Sequence, residues 1–124
     1  MIHKIEILFS LCLGLSVSAT TLATPTPAGQ QEIEYLISHL AKSGCEFYRN
    51  GTWYDSGKAE EHLRTKFEYA RSGIAVAEDF IAKAASNSSF SGEAYQVRCG
   101  VDARAVTSSQ WLTEALARYR AVPR

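Results

Sequence analysis

With 124 residues, 13 basic and 13 acidic side chains, the chain is formally neutral at pH 7. That length bounds it to one domain with one modest core, since about 100–150 residues is the commonest domain size. A neutral chain offers no single-sign field for a polyanion, which excludes nucleic acid as an expected partner and leaves a basic membrane-surface helix equally unsupported.

The N-terminus reads as an address. Lys4 gives a basic start, residues 5–17 are almost wholly apolar apart from Glu6, and small residues follow at Ser18, Ala19 and Ala23. Those are the three parts of a secretory signal peptide, with cleavage fitting after Ala19 or after Ala23. The apolar run falls short of the ~20 residues needed to cross a bilayer, so no membrane span is expected after cleavage. Cys12, inside the run and preceded by Leu11, is discarded with the signal rather than lipidated. Cleavage removes Lys4 and Glu6 together and leaves the remainder neutral.

Two cysteines then remain, Cys45 and Cys99, in a compartment that permits disulfides. A bridge between them closes a loop of roughly 55 residues and is worth about 4 kcal/mol in the chain-entropy model. A redox pair would show close spacing and a zinc site three or four ligands, so the pair reads as a structural disulfide.

Taken in order, residues 24–29 (TPTPAG) read as an extended, mobile spacer with nothing to bury. From Gln30 the apolar residues Ile33, Leu36, Ile37, Leu40 and Ala41 repeat at helical spacing, and Gly44 closes that helix after about Ser43. Residues 45–49 alternate, Asn50-Gly51 is the favoured two-residue hairpin turn, and Thr52, Trp53 and Tyr54 return the chain. The expected pairs are Arg49 with Thr52, Tyr48 with Trp53, and Phe47 with Tyr54. Asp55 or Ser56 caps the next helix. Its stripe of Ala59, Leu63, Phe67, Ala70, Ile74, Ala77, Ile81 and Ala84 is interrupted by Gly73, which predicts two helices, about 57–72 and 74–85, with one long helix as the alternative. Residues 86–92 form a loop from which Phe90 is expected to tuck into the core. Residues 95–99 alternate as a third strand beside the hairpin, residues 100–107 read as loop, and Ser108 or Ser109 caps a last helix carrying Trp111, Leu112, Ala115, Leu116 and Tyr119. The fold class is α+β, with about four helices on a small, mostly antiparallel sheet of two or three strands.

Phe47, Arg49-Asn50-Gly51, Glu61-His62-Leu63-Arg64-x-Lys66, Ala77-Glu78-x-Phe80-Ile81, Ala85-Ser86-x-Ser88-Ser89 and Ser91-Gly92-x-x-Tyr95-x-Val97 occur in that order. Over residues 33–119 they resemble the YfeK-like family of small bacterial envelope proteins, a domain-of-unknown-function family. The resemblance implies a secreted, periplasmic bacterial protein and transfers no reaction.

The residues dense enough to suggest a site are Arg49 and Trp53 on the hairpin and Glu61, His62, Arg64 and Lys66 on the following helix. His62 and Lys66 lie four apart on one face, and Glu60 can pair with Arg64. One reading is an anion or carboxylate pocket where Arg49, His62 and Lys66 converge; the other is a solvated helix face with weak ion pairs. The aromatics Phe47, Tyr48, Trp53 and Tyr54 are either a recognition surface or the packed face of a small sheet. No Gly-x-Ser-x-Gly elbow, phosphate loop or facing carboxylate pair is present, and no metal or cofactor is expected. The expectation is a monomeric, non-enzymatic binding or interaction module for an envelope protein or a small anionic ligand. A small hydrolase with His62 as general base is the alternative.

Overall fold

A computed structural model describes residues 24–124 and Gly14, so the signal-peptide reading lies outside the described residues. The first helix, α1 (Pro27–Lys42), starts three residues earlier than the periodicity suggests. Thr26 caps it through its hydroxyl, which accepts from the Gly29 amide at 3.0 Å, and Pro27 supplies the helical φ at the first position. Residues 27–29 are therefore helix rather than mobile spacer, and Gly29 is buried. A Cβ at Gly29 would meet the Ala75 carbonyl oxygen at 2.5 Å, so the helix start and the segment at Ala75 can pack this closely only without a side chain there.

After the left-handed Gly44 come β1 (Glu46–Arg49) and β2 (Thr52–Tyr54), joined by Asn50 and Gly51, both at positive φ. The hairpin has the expected register: Phe47 faces Tyr54, Tyr48 faces Trp53 and Arg49 faces Thr52. Helix α2 (Ser56–Ala70) is capped by Asp55, whose carboxylate accepts from the Lys58 amide at 2.9 Å. It ends in a 3₁₀ turn, Arg71–Gly73, and an extended stretch leads to α3 (Ala77–Ala84). The stripe is thus divided between two helices, the second starting three residues later than expected because the Asp79 carboxylate accepts from the Ala75 and Val76 amides and sets the helix start there.

Two further strands complete the sheet, β3 (Gln96–Arg98) and β4 (Val106–Thr107), before α4 (Ser108–Ala121). The order is β2-β1-β3-β4, antiparallel throughout. The sheet has four strands rather than two or three: β4 lies in the stretch read as loop, held by pairing Val106 with Val97 and Thr107 with Gln96. Thr107, not Ser108 or Ser109, caps α4. Phe90 is 97% exposed instead of buried. Its amide donates to the Ser88 hydroxyl in a turn that faces the ring outward.

Alternation gives the sheet two faces. Phe47 and Val97 are paired, buried, and packed with Ile33, Leu36, Ile37 and Leu40 of α1, Leu63 and Phe67 of α2, Phe80 of α3 and Leu112 of α4. Cys45 and Cys99 continue the β1–β3 register by one pair and are disulfide-bonded with Cα atoms 4.3 Å apart. Among the described residues no helix is long and apolar enough to cross a membrane.

Candidate functional site

The same alternation that sends Cys45 and Phe47 inward carries Arg49 inward too, but at the hairpin tip, where the core gives out. Tyr95, two residues before the buried Val97, lies on that face as well and is 6% exposed. Helix α2 crosses above, with His62 and Lys66 one turn apart on the side facing them.

The contacts are direct. Arg49 Nη1 lies 2.5 Å from His62 Nδ1, His62 Nε2 lies 3.0 Å from Tyr95 Oη, and Lys66 Nζ donates to Tyr95 Oη at 2.9 Å and to the Asn87 carbonyl at 2.8 Å. Arg49 also stacks over Tyr54.

A guanidinium only donates, and Arg49 Nη1 is nearer to Nδ1 (2.5 Å) than to Nε2 (3.3 Å), so the lone pair of a neutral His62 is assigned to Nδ1 and the hydrogen to Nε2. Tyr95 Oη then accepts from both Nε2 and Lys66, which fills its two lone pairs and leaves its own proton free to donate. Burial, with the charges of Arg49 and Lys66 adding to it, pushes the His62 pKa down to about 4 and keeps the ring neutral. Burial and the Arg49 charge lower the Lys66 pKa, and burial raises that of Tyr95 against the opposing pull of Arg49. Among the described residues neither Arg49 nor Lys66 forms an ion pair.

This cluster walls a polar cleft of about 290 Å³ that also touches Asn50, Ser88 and Phe90. A latch holds the far wall: Asn50 donates to Ser88 Oγ at 3.0 Å and accepts from Ser91 Oγ at 2.6 Å, tying the hairpin turn to the loop after α3. Arg49, His62 and Tyr95 also border a second pocket of about 250 Å³, in which the apolar Leu40, Phe47, Ala59 and Leu63 meet polar side chains, Lys58 and Glu61 among them.

Three of the six residues singled out in the sequence, Arg49, His62 and Lys66, therefore meet. The other three do not join them. Arg64 faces α1, bonded to Glu34 at 3.1 Å and Glu60 at 3.2 Å. Glu61 is exposed at the rim of the apolar pocket and pairs with Lys58 at 3.6 Å. Trp53 is on the opposite face of the sheet, under the Arg98 guanidinium. Tyr95 was missed as a polar participant. Its signal was the alternation that places it on the face of Arg49, hidden because the register between β1 and β3 cannot be read from either strand alone.

Such an arrangement defines a small α+β module with a cationic cleft between a hairpin tip and a helix. A family model described as a family of unknown function (DUF5329) matches residues 27–120, and the chain belongs to that family. It is similar to the protein of Salmonella typhimurium named "Uncharacterized protein YfeK", with 39% identity over 67 residues, which are 53% of this chain and 56% of that relative's length. No solved structure matches it.

Proposed function

We propose that the protein is an exported, periplasmic binding module whose ligand carries an anionic group, held in the cleft by Arg49, Lys66 and the Tyr95 hydroxyl. One observation carries the reading: the free hydrogen-bonding capacity of this cluster is all donor, and its two cations, Arg49 and Lys66, have no carboxylate partner among the described residues. Concentrated positive charge beside a buried phenol has a standing electrostatic cost, which an anion removes while making charge-assisted hydrogen bonds. His62 orients the set, with Arg49 on one ring nitrogen and Tyr95 on the other.

Amide shifts measured by NMR during titration with acetate and with inorganic phosphate test this. The expected result is saturable shifts around Tyr95 and Lys66, with affinity at least about tenfold weaker in Arg49→Gln, the loss of one charge-assisted bond. Equal affinity in the variant would remove the reading. Export is tested separately, by fractionating producing cells and reading the N-terminal residue of the recovered protein.

The hydrolase alternative draws support from the contact between His62 and the Tyr95 hydroxyl at 3.0 Å. Against it, the lone pair of His62 is turned to Arg49, its pKa of about 4 makes it a weak base, and a phenol with a raised pKa is a poor nucleophile.

A further inference from the structure

The apolar pocket beside the cleft narrows the ligand class. It lies where Leu40 of α1, Phe47 and Tyr54 of the hairpin, and Ala59 and Leu63 of α2 approach one another, with Lys58 and Glu61 also in its lining, and the Arg49, His62 and Tyr95 group borders it. Ala59 opens the space: one methyl on the inner face of α2 stands where a longer side chain would close it. The pocket and the cleft share Arg49, His62 and Tyr95, so a ligand held by Arg49 can reach into both. Its remaining guanidinium N–H groups have no protein acceptor among the described residues.

Resting on the anion-binding reading above, we propose that the ligand is a small amphiphilic carboxylate, its head on Arg49 and a short apolar tail in the pocket lined by Leu40, Tyr54, Ala59 and Leu63. A pocket holding only an apolar group would not need the Arg49 cation in its lining, and a site for a bare anion would not need the chamber. A volume of about 250 Å³ is below the about 300–1,000 Å³ of sites for drug-sized ligands, so the tail is short. The source is a soluble molecule rather than a bilayer lipid, because a neutral chain has no field to draw it to an anionic surface.

Binding of acetate, butanoate and hexanoate to the protein purified from producing cells tests this at neutral pH, with hexan-1-ol as the uncharged control. Affinity is expected to tighten by about fourfold for each methylene buried, and hexan-1-ol to bind more weakly than hexanoate. In Ala59→Leu, which fills the chamber and leaves the cleft, acetate binding persists and the dependence on chain length disappears. Chain-length independence in the wild-type protein overturns the amphiphile while leaving the anion site standing, and it does so whether or not Ala59→Leu folds. Acetate binding that ignores Arg49→Gln brings down the anion site itself. Tighter binding to vesicles of anionic phospholipid than to hexanoate overturns the soluble source.

Discussion

The two faces of the β1–β2 hairpin use the same chemistry to opposite ends. On the outer face, Arg98 stacks on Trp53 at 3.9 Å and bonds Glu46 at 3.0 Å, while the Tyr48 hydroxyl donates to Glu93 at 2.7 Å. Each cation and each hydroxyl there has an acidic or aromatic partner. On the inner face, Arg49 and Lys66 converge on His62 and Tyr95 with no carboxylate among the described residues. Aromatic and basic residues occur on both sides, so their presence alone does not distinguish the faces. Unmet donor capacity does distinguish them: the outer face is satisfied from within and the inner face is not.

The disulfide underlies both faces, and breaking it should have the largest effect. Replacing Cys45 and Cys99 by alanine is expected to lower the unfolding free energy by about 2–5 kcal/mol in denaturant titrations, because the bridge closes a long loop at the junction of β1 and β3. A loss well under that range would mean the sheet register holds without it.

Acid should distinguish the faces next. His62 titrates at about 4 in the folded protein against 6.5 for the ordinary group. As pH falls, the unfolded chain binds this proton first, so stability present above about pH 6.5 is lost between 6.5 and 4, and this group takes nothing further below 4. The expected loss is about 2 kcal/mol, discounted for a ring still partly in water. Urea denaturation across that range should show the slope in the wild-type protein and a shallower one in His62→Gln.

A smaller effect is expected at the latch. Asn50→Gly keeps the positive φ of +48° that the turn requires but removes the bonds to Ser88 and Ser91, at a cost of about 1 kcal/mol. Amide hydrogen exchange should speed up in residues 88–91 while β1 and β3 stay protected. Smallest of all, Arg98→Gln on the outer face should cost under about 1 kcal/mol, as exposed ion pairs and cation–π contacts do, and leave acetate binding unchanged.

Much of this was legible in the sequence where the signal was local. The stripe of α1 from Ile33 to Leu40, the Asn50-Gly51 turn with its three pairs, the third strand and the cysteine pairing all follow from spacing, turn chemistry or counting. What escaped depends on partners distant in the chain. Pro27 to Gly29 joins α1 because Ala75 and Val76 pack against it. Strand β4 is two residues long, too short to show alternation, and exists through β3. The pairing of Arg64 with Glu60 follows from their spacing, but its second partner Glu34, thirty residues earlier, does not. Trp53 lies on the face away from the helices, which alternation alone could not say, because it sorts residues into two sets without saying which set meets the helices. For the site, Arg49, His62 and Lys66 were visible as candidates, whereas Tyr95, the hydroxyl that joins two of them, needed the β1–β3 register.

The most direct test of the cationic cleft is the NMR titration of the His62 ring with and without saturating sulfate, an anion that keeps its charge across the range. An anion beside Arg49 and Lys66 offsets their repulsion, so the account predicts that the His62 pKa rises above about 4 while His39, packed between Tyr35 and Trp111, is unmoved. An unchanged His62, or equal shifts at both histidines, would contradict it.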